Sequence, residues 1–235
     1  MLTQADKVVT VGWDWARGLG RLGNRNVRVI QNGYDWDCSP DEERAPLSDE
    51  FTLTHLGVVA PSRNAPVFWQ ALQELKNEVE GFGKALKIKL VGQVDQSVIE
   101  NLTSCGLMGN TELVTQVPHD EVKRLQEASQ VLLLLVNNTP NAKGILTGKL
   151  YEYLASRRPI LAIGPENGDA ARLIQETHAG VTVGFEDKDK MKEAISKLYQ
   201  SYLDGGLPDN PMDGLEHYSR KALAGKYASL LDKNS

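Results

Sequence analysis

Cysteine is nearly absent from this chain. Cys38 and Cys105 are the only two among 235 residues, lie far apart, and match neither metal-ligand nor redox spacing. That excludes a disulfide scaffold and fits a reducing compartment. Long hydrophobic runs are missing too: the longest, residues 131–136, is strand-sized and far short of the ~20 residues of a membrane span. No signal-peptide pattern follows Met1. Neither charge sign dominates. Twenty-six Lys+Arg against 31 Asp+Glu give a net charge of −5 with no strongly basic half, which disfavours an electrostatic nucleic-acid binder. No GxGxxG or Walker A pattern follows the first regular strand, and no nucleophile elbow supports Ser-His-Asp chemistry.

What is present is ordinary for a globular chain: 41% hydrophobic and 24% charged residues, enough for one large domain or one domain with trimmings. Residues 7–11 and 27–30 read as short strands around a Gly- and Arg-containing stretch. After the turn dipeptide Asn32-Gly33, residues 34–50 carry seven acids against one base, Arg44, with Pro40 and Pro46 and no periodicity. This reads as a solvated linker and a domain boundary. From Phe51 strands and helices alternate regularly: strands at 51–56, 85–91, 113–117, 131–136, 159–163 and 180–183, with helices near 67–79, 96–104, 120–129, 147–155, 169–177, 187–203 and 212–232. The chain therefore divides into residues 1–50, a crossover and linker; 51–205, the regular domain; and 206–235, a C-terminal helix. Alternation of this kind implies right-handed crossovers and a doubly wound parallel α/β sheet, whose ligands bind beyond the carboxyl ends of the strands.

The strand-to-helix loops are then the places for chemistry. Loop 137–149 is long, contains no acid, and enters its helix through Thr147-Gly148, leaving amides and the positive dipole end for a phosphate. Lys143 and Lys149 add full charges, and Glu152 stands where it could accept from a ribose diol. The plainer reading makes Thr147 an N-cap and Glu152 a surface acid paired with Lys149. In loop 57–64, Gly57 permits close backbone approach and Arg63, followed by Asn64, could make a forked contact with a diphosphate; alone it reads equally as a solvated arginine. His119 opens a helix and could meet a base or act as a cap. His55 reads as a core histidine. Asp35-Trp36-Asp37 has the acid-x-acid form that can hold a cation, but lies in the acidic linker. Trp13, Trp15, Trp36 and Trp69 are scattered, Trp69 as packing.

Five elements in order resemble the carboxyl-terminal domain of the family 4, group 1 retaining glycosyltransferases, which use two Rossmann-like domains. They are ADKVVTVGWDWARGLGRLGNRNVRVIQNGYD (5–35), HLGVVAPSRNAPVFWQAL (55–72), VGQV (91–94), GILTGKLYEYLASRRPILAIG (144–164) and GDAARLIQETHAGV (168–181). The resemblance implies sugar transfer from a UDP- or GDP-linked donor to a glycan or lipid-linked hydroxyl, without an essential metal or other cofactor. Arg63 stands at the diphosphate-binding lysine of the family, Glu152 at the second glutamate of its paired-glutamate motif, and His119 near the base. Arg63 and Lys149 are then the catalytic candidates. Gly57, Arg63, Asn64, His119, Lys143, Gly144, Thr147, Gly148, Lys149 and Glu152 are the donor-binding ones.

Two positions depart from the pattern: Gly144 where the family has its first glutamate, and Val58 where it commonly has an arginine. Such enzymes are roughly twice as long, so the resemblance implies that acceptor binding lies mainly on a further, amino-terminal domain and that this half is inactive alone. A cytoplasmic setting in bacterial envelope polysaccharide synthesis is implied, with any membrane association coming from the other half. Two other readings stay open: a non-catalytic nucleotide-binding or partner-docking module, favoured by Val58 and Gly144, and half of a sugar-nucleotide epimerase, for which only His119 and Glu166 offer an acid or base.

Overall fold

The computed structural model describes residues 2–23, 26–35, 44–115, 117–207, 209–211 and 214–232. Near the start, β1 (Val8–Thr10), α1 (Trp13–Arg21) and β2 (Val27–Val29) form a βαβ unit with a two-stranded parallel sheet. The stretch between the strands is thus a helix, despite Gly18 and Gly20: Trp13, Ala16 and Leu19 recur at steps of three, and a β-carbon at either glycine would meet nothing.

The main body alternates as the apolar periods require. Its elements are β3 (Phe51–Leu56), α2 (Pro66–Glu78), α3 (Phe82–Ala85), β4 (Leu86–Val91), α4 (Gln96–Ser104), β5 (Thr111–Val114), α5 (His119–Ala128), β6 (Val131–Leu135), α6 (Gly148–Ser156), β7 (Ile160–Ile163), α7 (Asp169–Glu176), β8 (Gly180–Val183), α8 (Lys188–Leu203) and α9 (Arg220–Asp232). Six parallel strands lie in the order β5-β4-β3-β6-β7-β8. The sheet is therefore doubly wound, and its order reverses between β3 and β6.

Alternation within strands sorts two cores. Phe51, Leu53, Leu133 and Leu135 face one way, onto Phe68, Leu72, Ile195 and Tyr199 of α2 and α8. Leu132, Leu134 and Leu56 face the other way, onto Leu150, Tyr151, Tyr153 and Leu154 of α6 and Leu173 of α7. Leu150, Tyr151, Leu154 and Ala155 are buried, as the helical spacing requires.

Two expectations change. The last helix begins at Arg220 and not near Met212, which itself lies outside the described residues. At Ser219 the chain is extended and bridges Tyr34: the Tyr34 amide donates to the Tyr218 carbonyl and the Arg220 amide to the Tyr34 carbonyl. Pairing with a distant strand-like residue there outcompetes helix. The acidic segment is also not wholly a solvated linker. Residues 36–43 lie outside the described ones, but Arg44 donates to the Ser156 carbonyl and pairs with Asp209, the Ala45 amide donates to Glu127, and the Ser48 amide donates to the Ala128 carbonyl at 2.8 Å. No helix among the described residues is long and apolar enough to cross a membrane.

Candidate functional site

Ligands of a doubly wound sheet bind where the strand order reverses. Here that is the crevice between β3 and β6, and both loops singled out from the sequence open onto it. They are knitted together. Arg63 Nε donates to Asn137 Oδ1 at 2.9 Å, Asn137 Nδ2 donates to Ser62 Oγ at 2.7 Å, and the Asn138 amide donates to the Ser62 carbonyl. Arg63 Nη1 caps the Val58 carbonyl at 2.8 Å, which leaves the guanidinium fixed at the crevice with donors to spare.

Helix α6 brings the second cation. Tyr153, fully buried, accepts the Leu56 amide on its hydroxyl at 3.0 Å and so ties α6 to the end of β3. Lys149 is four residues earlier and shares that helix face. It lies directly on Gly57: a β-carbon there would stand 2.9 Å from Lys149 Cε and 3.0 Å from Nζ. Gly57 has φ +117°, a conformation that glycine tolerates. Gly92 packs beneath it just as closely, since its own β-carbon would stand 2.8 Å from the Gly57 carbonyl. Lys149 is largely desolvated, which lowers its pKa; Glu152 opposes the shift and Arg63 adds to it. Neither the Lys149 nor the Glu152 side chain makes a hydrogen bond among the described residues, and the two attract each other as charges.

Thr147 stands at the N-cap of α6, yet its hydroxyl caps no amide and is buried without a partner among the described residues. The Leu150 amide donates to the Thr147 carbonyl at 3.1 Å, which leaves the Gly148 and Lys149 amides for an acceptor from outside the helix. Gly148 lines a cleft of about 510 Å³ with Gln31, Asn32, Gly33, Arg220 and Tyr227. A larger hollow of about 850 Å³ lies past β7 and β8, but four acids, Glu166, Glu186, Asp187 and Asp189, line it against one base, Lys188, a balance unfavourable to a phosphate.

The crevice thus joins Gly57, Arg63, Thr147, Gly148, Lys149 and Glu152. Lys143 is exposed on the turn 142–144 of the same loop. Gly144 faces α1: its carbonyl accepts Trp15 Nε1 at 3.1 Å. Asn64, expected to bind the donor, points elsewhere, its amide accepting Trp69 Nε1 at 3.0 Å and donating to the Ser97 carbonyl. His119 opens α5, and its side chain lies outside the described residues. Of Asp35-Trp36-Asp37, the last two lie outside them as well. Among the described residues no three His, Cys, Asp or Glu side chains cluster as a metal site.

Sequence reasoning missed Asn137, Tyr153 and Gly92, which position the cations without bearing charge. It placed His55 in the core, where the ring is indeed buried with Nδ1 on the Leu133 carbonyl at 3.0 Å; Nε2 has no hydrogen-bond partner among the described residues.

Fold and crevice together define a doubly wound α/β protein with Arg63 and Lys149 at its switch point. The sequence profile of the family described as glycosyl transferases group 1 matches residues 50–201, and the chain belongs to that family. No curated protein sequence matches it. Many solved structures share the fold, three of them as follows. Sucrose-phosphate synthase from Thermosynechococcus elongatus has a TM-score of 0.75 at 15% identity, over 99% of this chain and 59% of that one. The pneumococcal O-GlcNAc transferase GtfA, solved with UDP and GlcNAc, has a TM-score of 0.66 at 15% identity, over 99% and 46%. WaaG, a glycosyltransferase of lipopolysaccharide biosynthesis, has a TM-score of 0.63 at 15% identity, over 92% and 61%. The chain thus spans 46% to 61% of the length of these proteins.

Proposed function

We propose that the chain is the donor-binding domain of a retaining glycosyltransferase that moves a sugar from a UDP- or GDP-linked donor to a hydroxyl of a glycan or lipid-linked acceptor. The observation that carries this reading is the pair Arg63 and Lys149, two cations at the switch point beside uncapped helix amides, with no neutralising hydrogen bond on Lys149. Such an arrangement suits a diphosphate. In the transfer, the bond from the sugar's anomeric carbon to the diphosphate oxygen breaks, and the diphosphate leaves with the electron pair. Arg63, Lys149 and the α6 amides stabilise the charge it gains. The acceptor oxygen forms the new bond, and its proton passes to the departing diphosphate oxygen, which has gained the electron pair. By the resemblance, Glu152 takes the ribose diol and His119 is assigned to the base. Charge neutralisation by side chains makes a metal unnecessary.

A further domain supplies the acceptor site and part of the machinery, so this chain alone binds nucleotide without transferring sugar. The setting is bacterial envelope polysaccharide synthesis in the cytoplasm. A second reading, a nucleotide-binding module without transfer, is favoured by one observation: Gly144 offers no side chain and its face is covered by Trp15.

Titration calorimetry with UDP, GDP, ADP and dTDP, with Glu152→Ala alongside, tests the proposal. The expected result is a micromolar to millimolar preference for one base, weakened in the variant. No binding of any of the four at millimolar concentration would overturn it.

A further inference from the structure

The first turn of α1 docks on the same loop edge through residues that the proposed chemistry does not use. Its N-cap is Gly12, which has no side chain to offer the free amides there. Asp169, the first residue of α7 and only 4% exposed, supplies the acceptor instead. The Asp14 amide donates to its two oxygens at 3.0 and 3.3 Å. Glycine is needed at position 12, because a β-carbon would stand 2.6 Å from Asp169 Oδ2. Arg172 of α7 lays its guanidinium 4.0 Å over the Trp13 ring, a second attachment between the same two helices.

From that anchored turn Trp15 reaches the donor loop, its indole N–H on the Gly144 carbonyl. Gly144 closes the turn 142–144 that also carries Lys143. Its missing side chain is what admits the indole, since a β-carbon would lie 3.0 Å from Nε1. The back of the turn rests on α7, where a β-carbon at Gly168 would stand 3.2 Å from the Lys143 carbonyl. Trp15 itself remains 48% exposed. Its burial therefore contributes little compared with a core tryptophan, and what it adds is the direction of one hydrogen bond.

We propose that Trp15 is a positioning residue of the nucleotide site: its indole N–H fixes turn 142–144, and with it the approach of Lys143 and the entry into α6, while Asp169 holds α1 where Trp15 can reach. The inference rests on the nucleotide reading above.

Its test combines hydrogen–deuterium exchange of loop 137–149 with titration of UDP, GDP, ADP and dTDP, in the wild-type chain, Trp15→Phe and Asp169→Asn. Trp15→Phe keeps a ring and removes the donor. The expected result is faster exchange at amides 142–146 and about three- to ten-fold weaker binding of the preferred nucleotide, as for one lost hydrogen bond, with the unfolding midpoint held. Asp169→Asn, which weakens the cap, is expected to move both readouts the same way. A merely structural Trp15 would lower the midpoint and leave the affinity of the folded protein unchanged. Unchanged exchange or affinity in Trp15→Phe overturns the inference and leaves the nucleotide reading standing. Failure of the wild-type chain to bind any of the four overturns both.

Discussion

At the scale of single residues, Lys149 carries a cost in the unliganded protein. Its ammonium sits on the Gly57 backbone, is stripped of much of its water, and faces the like charge of Arg63. Lys149→Met keeps the stem and removes that charge. It is expected to stabilise the unliganded chain by on the order of 1 kcal/mol, read as a raised Tm, while diphosphate affinity falls about ten-fold or more. Gly57→Ala runs the other way. At φ +117°, with Lys149 Cε 2.9 Å from the new methyl, it is expected to cost more than about 1 kcal/mol in chemical denaturation and to weaken nucleotide binding by displacing the lysine. Arg63 and Lys149 stood out in the sequence because their loops follow neighbouring strands of one sheet, so both open on the same edge. Asn137 was not, because its role depends on β6 pairing beside β3, a neighbour more than seventy residues away. The partners of Asn64 were hidden for a related reason: adjacency to Arg63 in sequence says nothing of direction, and its amide turns to Trp69 and Ser97.

At the scale of elements, Tyr153 ties α6 to β3 through the Leu56 amide, and Lys149, one turn earlier, is held on the same helix face. The far end of α6 is held as firmly. Arg158, 2% exposed, donates to the Ser129, Gln130 and Leu207 carbonyls and pairs with Asp209 at 2.9 Å, clamping the α6–β7 turn to β6 and to the segment after α8. Arg158→Ala strands those acceptors and is expected to cost about 3 kcal/mol in urea denaturation without changing the nucleotide affinity of the folded fraction. Strong apolar periods made nearly every helix and strand of the main body readable. The misses have local causes. Gly18 and Gly20 disguised α1, and the start of α9 was displaced by the bridge from Ser219 to Tyr34, a long-range pairing with no periodic signal.

At the scale of the whole molecule, the strand order sets both the site and a pH limit. Central strand β3 carries His55 fully buried beneath the crevice, and burial pushes its pKa from 6.5 down to about 4. The unfolded chain takes up this proton first as pH falls. The contribution of neutral His55 is thus complete above about pH 6.5 and is lost between there and pH 4, a decline of about 3 kcal/mol at most. Denaturation of the wild-type chain and of His55→Leu across that window is expected to show a steeper loss in the wild type; parallel curves would contradict it. The central claim is that the switch point is built for a diphosphate. Calorimetric titration of pyrophosphate into the wild-type chain and into Lys149→Met tests it most directly, because the anion is offered without base or sugar. Binding by the wild type at millimolar concentration or below, weakened about ten-fold or more in a variant that folds at least as stably, is the expected result. Equal binding by both proteins, or none by the wild type, would contradict it.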